Sequence, residues 1–369
     1  MIFVNDMASL RNVPQWLGHA EVGEDFLGFS DIVFPAFLFA IGLSIPFAIE
    51  NRMAKGESQL KTALHILFRS FALLVMGVFT VNTGVGISRE IGLSQPVFNL
   101  LMVSAFFLIW NIYPKTKAWK QYLFTALQIA GIALLIYLAV IYRDRSGAIM
   151  QKHWWGILGL IGWTYLLCAS IYLVFYKQLY VMLATLFAFI LLNIAGANGL
   201  LGGFSGYIIS NGTFQIFTMS GIIVSLFFSR YKSDFQINKL LTILAFAGVY
   251  MLLAGAIARN WWIVCKLSEM PPWVYLCTGI SILLYVFLYW LIEIKGKENW
   301  FRIIKPAGTA TLTCYLTPII VYAVFRLCNV RFPDIIREYP LGLLKSLAFA
   351  LLVIGITALM GKIRIKLKI

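Results

Sequence analysis

Eleven apolar runs, each about 20 residues long, follow one another along the chain with only short charged or Gly/Pro breaks between them. They cover roughly 30–49, 62–82, 96–113, 121–141, 155–175, 178–195, 213–229, 239–258, 273–293, 306–326 and 341–360. Twenty residues of α-helix rise about 30 Å, the thickness of a bilayer's hydrocarbon core. In lipid every backbone N–H and C=O must be paired within the protein, so only helices and closed barrels can span it. Barrel strands alternate polar and apolar residues; these runs are continuous. The composition agrees: 61% hydrophobic and 12% charged residues, with a mean hydropathy of +0.85, against about 25% charged in a soluble domain. A soluble enzyme, a disordered chain and a collagen-like chain are excluded. The expected fold is an all-α polytopic transmembrane helix bundle with about 11 full spans. The stretch Met1–Leu10, at about 15 Å of helix, reads as a short N-terminal half-span, the outer half of a helix begun elsewhere. Asn5 and Asp6 inside it, with no basic start, argue against a signal peptide. Residues 1–369 are expected to form a single integral membrane domain, divided for description into a motif region 1–82 and the helices of 83–369.

The charges orient this bundle. Thirty Lys and Arg stand against 15 Asp and Glu, a net charge of +15. In a soluble protein that excess would suggest nucleic acid; here it follows the rule that cytoplasmic loops collect Lys and Arg. Counting the half-span first, 18 basic residues fall on one side, from Arg52, Lys55 and Lys61 to the tail Lys362, Arg364, Lys366 and Lys368. Ten fall on the other, among them Arg11, Arg89 and Arg259. The C-terminus is therefore expected in the cytoplasm and the 11–29 loop outside, with no nucleic-acid partner. Five cysteines without a CxxC pair, and three histidines, argue for neither a disulfide framework nor a metal site.

In a membrane protein the informative residues are the polar ones that hydrocarbon should exclude, and they gather near the N-terminus. Asn5 and Asp6 precede the loop RNVPQWLGHAEVGEDFLGFS, which carries Trp16, His19, Glu21, Glu24 and Asp25; Asp31 then opens the next helix. An imidazole oriented by a carboxylate can act as general base or nucleophile. The same residues also suit an interfacial Trp/His anchor with a solvated acidic face, and both readings stay open. Pro35 lacks an N–H, which frees the carbonyl of Asp31, and Pro46 does the same for Gly42. Ala36, Ala40, Ser44 and Ala48 form a small-residue stripe suited to close helix packing. Arg69, one turn after His65, either snorkels to the inner surface or holds a phosphate-bearing donor; Asn82 lies near the outer end of the same run. Gly156, Gly159 and Gly162, behind His153 and two tryptophans, suggest tight packing. The Gly-rich stretch 196–212 reads as a turn.

The run FVND, the loop WLGHA and above all SDIVFPAFLFAIGLSIPFAI resemble the heparan-α-glucosaminide N-acetyltransferase family and its bacterial DUF5009-type relatives. The resemblance continues through FRSFALLVMGVFTVN and, more loosely, PAGTATLTCYL. It implies a transmembrane acyltransferase that takes acetyl from cytoplasmic acetyl-CoA, as co-substrate and without a metal, to an amino sugar or glycan across a bacterial inner membrane. By the same resemblance the catalytic residues are His19, Asp31 and Asn5, and the donor-binding residues are Arg69 and Asn82. The expected partners are the bilayer and a carbohydrate acceptor, with the oligomeric state left open and a homo-oligomer compatible. The residues alone would favour a transporter or flippase for a glycan or glycolipid, and a non-catalytic membrane component is the third reading.

Overall fold

The computed structural model describes residues 1–114, 118–202, 209–232 and 237–369. Lys115, Lys117 and the centre of the Gly-rich stretch, 203–208, lie outside the described residues. Among those described, the protein is all-helical, with two isolated β-bridges. After α1 (Ile2–Met7) come α2 (Phe29–Ala54), α3 (Gln59–Val85), α4 (Gln95–Trp110), α5 (Ala118–Ile141), α6 (Ile157–Val174), α7 (Leu179–Ala197) and α8 (Thr213–Tyr231). They are followed by α9 (Ile237–Ala258), α10 (Pro271–Tyr289), the single turn α11 (Lys305–Thr309), α12 (Thr311–Leu327) and α13 (Leu341–Lys362). Nine of the described helices, counting α10 with its π-helical extension to Ile294, are long and apolar enough to cross a membrane. Helices α4 and α12 are apolar but shorter. Together these eleven coincide with the eleven apolar runs, and the half-span is the six-residue α1.

The helices gather into two compact units, each assembled from separated stretches of chain. The first comprises 1–13, 75–159 and 299–369; the second comprises 14–74 and 160–298. Helices in lipid gain little from burying apolar surface and associate where small residues let backbones approach. In the second unit α2 and α8 meet at Gly42 and Gly221: a Cβ on Gly42 would lie 1.9 Å from the Thr218 carbonyl oxygen, and one on Gly221 2.1 Å from that of Phe39. Thr218 donates to the Leu38 carbonyl at the same crossing. This corrects the expected stripe. Ala40 and Ser44 are exposed, while Phe34, Leu38, Gly42, Ile45 and Ile49 are buried. Residues two apart are turned by about 200° on a helix, so a face centred on Gly42 leaves Ala40 and Ser44 behind it. Helices α9 and α10 approach in the same way, with Gly279 against the Gly248 carbonyl.

In the first unit Gly77 packs on the backbone of Gly159, and Gly156 receives Val81, as the glycines of 152–163 suggested. Two short backbone pairings tie loop ends together. Arg11 bridges Glu338, and Asn111 bridges Leu367, where the Asn111 side chain also accepts from Lys366 N and Thr313 Oγ1 accepts from Leu367 N. Each pairing joins segments that the alternation of spans assigns to one side.

Candidate functional site

The loop before α2 doubles back on the helix start because a glycine allows it. Gly18 and Gly28 approach so closely that a Cβ on Gly28 would lie 2.1 Å from the Gly18 oxygen. Phe29 N and Ser30 Oγ donate to the carbonyls of Trp16 and Leu17. This fixes His19 beside the first turn of α2, where Asp31 is fully buried. A carboxylate belongs there, since free N–H groups and the helix dipole favour negative charge at a helix start. Asp31 Oδ2 accepts from Ala20 N at 3.0 Å and Gly28 N at 3.2 Å. Its Oδ1 faces His19 Nδ1 at 2.7 Å and Lys266 Nζ at 3.3 Å. The Asp31 carbonyl freed by Pro35 receives the Cys277 thiol at 3.9 Å.

These contacts determine which imidazole nitrogen carries the proton. Lys266 Nζ also lies 3.1 Å from His19 Nδ1, yet an ammonium only donates and a carboxylate only accepts. A 2.7 Å contact between Nδ1 and Oδ1 needs a proton between them, so Nδ1 donates to Asp31 and Lys266 donates to the same oxygen. The ring, whose side chain is 43% exposed, then presents Nε2 as a lone-pair acceptor. Lys266 supplies the counter-charge of the buried carboxylate, so the imidazole is not required as its cation.

Lys266 rides on the loop 259–270, which is held from two ends. At one, Asp25 accepts from Val264 N and from Arg259, both at 2.7 Å, while Phe26 N donates to the Val264 carbonyl. Those bonds, the Val264 one first, hold the Asp25 carboxyl below its ordinary range. At the other end Glu269 takes a left-handed backbone, φ +51°. Its carbonyl accepts from Asn193 Nδ2 at 2.9 Å, and its buried Oε2 has no hydrogen-bond partner. Burial pushes the Glu269 carboxyl up to about 7, against hydrogen bonding from Thr213, Ser210 and Asn211. Sequence reasoning missed Lys266 and Glu269. Lys266 counted only as a loop charge, and nothing in the chain signals its pairing with a residue 247 positions away.

Each of the other expected residues has local surroundings of its own. Arg69, also in the second unit, lays its guanidinium 4.5 Å over the Tyr165 ring, and its buried Nε lacks a hydrogen-bond partner. Asn82, in the first unit, is a structural clamp as held here. Its Nδ2 donates to Val78 and Gln151 carbonyls, and its Oδ1 accepts from Gln151 N. Tyr142 in turn donates to the Asn82 carbonyl. Asn5, also in the first unit, is exposed on α1; the buried polar residue there is its neighbour Asp6. Of the acidic loop residues, Glu24 closes a local turn with Gln15 and Glu21 N.

No curated protein matches the chain. A family model described as a domain of unknown function, DUF5009, matches residues 9–201. The matched stretch carries His19, Asp31, Arg69 and Asn82, and omits Asn5 and Lys266. Because it spans more than half of the 369 residues, the chain belongs to the DUF5009 family.

Proposed function

We propose that the protein is a transmembrane acyltransferase that moves an acetyl group from acetyl-CoA to an amino sugar or related glycan, with His19 as the reactive base. The observation that carries this reading is the His19–Asp31–Lys266 cluster, in which a buried carboxylate holds Nδ1–H and leaves Nε2 accessible. An imidazole that donates from one ring nitrogen and accepts at the other is suited to proton transfer. The acceptor amine attacks the thioester carbonyl, Nε2 takes the amine proton, the C–S bond breaks, and the CoA thiolate leaves to be protonated. Alternatively Nε2 attacks the thioester carbonyl and the C–S bond breaks to release the CoA thiolate; the amine then attacks the acetyl-imidazole, the N–acetyl bond breaks, and the freed Nε2 takes the amine proton. Asp31 fixes the ring's orientation and supports its charged form.

Arg69 supports the donor half of the reading. A guanidinium with a buried, unpaired N–H in a membrane helix is costly unless something anionic completes it. The phosphates of a CoA donor entering from the cytoplasmic side have that chemistry. Neither Asn5 nor Asn82 is needed for the steps above. On this reading, loops 14–28 and 259–270 face the periplasm of a bacterial inner membrane and the C-terminus faces the cytoplasm, as the loop charges suggest.

The test is direct. Purified protein is incubated with labelled acetyl-CoA and a panel of amino sugars, and label should appear in at least one acceptor. Absence of transfer to every acceptor, with uptake of a glycan into proteoliposomes, would replace this reading with the transporter or flippase one. Arg69→Ala should weaken CoA binding more than acceptor binding, with Arg69→Lys restoring part of it. For orientation, an impermeant maleimide should label a cysteine placed at Ala20 from the periplasmic side; labelling only after the inner face is opened would reverse the topology.

A further inference from the structure

The first unit holds a cavity of about 810 Å³ at the end of α12 and the start of α13, within the size range of small-molecule sites. Its walls are apolar and aromatic. Tyr322 stacks on Phe349 at 4.7 Å, and Phe325 meets Phe332 edge-on at 5.6 Å. Its polar lining is basic, with Arg326, Arg331, Arg337 and Lys345 against Asp6 and Asp334. Both acids are already compensated. Asp6 is paired with Lys345 at 2.8 Å, and Asp334 with Arg337 at 3.6 Å and Arg11 at 3.9 Å. Among the described residues, no carboxylate reaches Arg326 or Arg331, and both are exposed. The cavity therefore presents two uncommitted guanidinium groups above an aromatic pocket.

We propose that this cavity binds an amphiphile with a phosphate headgroup, the guanidinium groups of Arg326 and Arg331 taking the phosphate and the Phe325–Phe332–Phe349 walls taking its apolar part. Guanidinium forks match phosphate oxygens two at a time, and basic pockets between membrane helices hold anionic headgroups. The apolar walls distinguish the site from one for a free phosphate ester, which would gain nothing from them. The assignment does not depend on the role of His19.

The test uses the full chain in detergent, stripped of lipid and titrated with dioleoylphosphatidylglycerol, dioleoylphosphatidylcholine or glycerol 3-phosphate, bound ligand being counted by native mass spectrometry. Phosphatidylglycerol should bind at least tenfold more tightly than phosphatidylcholine, and glycerol 3-phosphate should fail to displace it at equal concentration. In the double variant R326Q/R331Q, whose exposed side chains anchor no packing, binding of phosphatidylglycerol should fall about tenfold with an unchanged Tm. Arg89→Gln, outside the cavity, should bind as the wild type does. Equal binding of the two lipids, displacement by glycerol 3-phosphate, undiminished binding in the double variant, or an equal loss in Arg89→Gln would each overturn the proposal.

Discussion

Among the described residues each unit buries one aspartate and pairs it with a lysine, Asp6 in the last turn of α1 and Asp31 in the first turn of α2, yet the two arrangements have different chemical capacities. Asp6 is met by Lys345 and by the hydroxyls of Ser346 and Tyr322, all of which donate to it. Each partner spends its donor on Asp6, so the cluster is closed: it satisfies a buried charge and fastens α1 to α12 and α13. Asp31 meets Lys266 and two backbone N–H groups in the same manner, but its remaining partner is an imidazole. Donation from Nδ1 satisfies Asp31 and at the same time exposes Nε2 as an acceptor. A buried intramembrane carboxylate is thus a weak indicator of chemistry by itself; what matters is whether one of its partners has a second, outward-facing function.

The largest expected effect belongs to the closed cluster. Asp6→Ala leaves the half-buried Lys345 without its counter-ion, which should cost up to about 3 kcal/mol of stability and lower the Tm in detergent sharply. Replacing both partners, as in D6L/K345M, should recover most of that loss; failure to recover any would mean the pair does more than neutralise itself. Next comes Asp31→Asn. Its effect should appear in turnover, about tenfold or more, because an amide no longer fixes the Nδ1–H tautomer. An unchanged rate in folded protein would erase the contrast. Lys266→Met should lower turnover severalfold, since Asp31 then loses the ammonium group that compensates it at 3.3 Å. A rate unchanged from wild type would assign Lys266 a packing role only.

The smallest effect is on pH dependence and comes from Glu269. Its ordinary carboxyl value is 4.5, and burial raises it to about 7 in the folded protein. Between those values the unfolded chain releases a proton that the folded chain keeps, so stability falls as pH rises and levels off above about pH 7. Glu269→Gln should flatten the decline in Tm between pH 5 and pH 8, by a few degrees. A decline that persists unchanged would place its origin elsewhere.

Much of the fold is written locally. Hydrocarbon requires about 20 apolar residues per crossing, so the eleven runs and the helices they became coincide to within a few residues. Packing faces were less legible, because the small-residue rule marks both Ala40/Ser44 and Gly42, and only the backbone contact with Gly221 chooses between them. For the site, His19 and Asp31 lie 12 residues apart and were readable as a pair. Lys266 was not, since a single lysine in an outer loop carries no sign of the partner it will meet. Asn82 shows the opposite limit: a polar residue in a membrane helix is as well explained by a backbone that needs pairing as by a ligand.

If His19 Nε2 is the reacting group, single-turnover acetyl transfer by wild type and His19→Ala side by side shows it most directly. Labelled acetyl-CoA is pre-bound, acceptor is added, and CoA binding and Tm are recorded for both proteins. His19→Ala should bind CoA and unfold as the wild type does, while its transfer rate falls about 10²-fold or more. Transfer by folded, CoA-binding His19→Ala at near the wild-type rate would contradict this and return His19 to the role of an interfacial anchor.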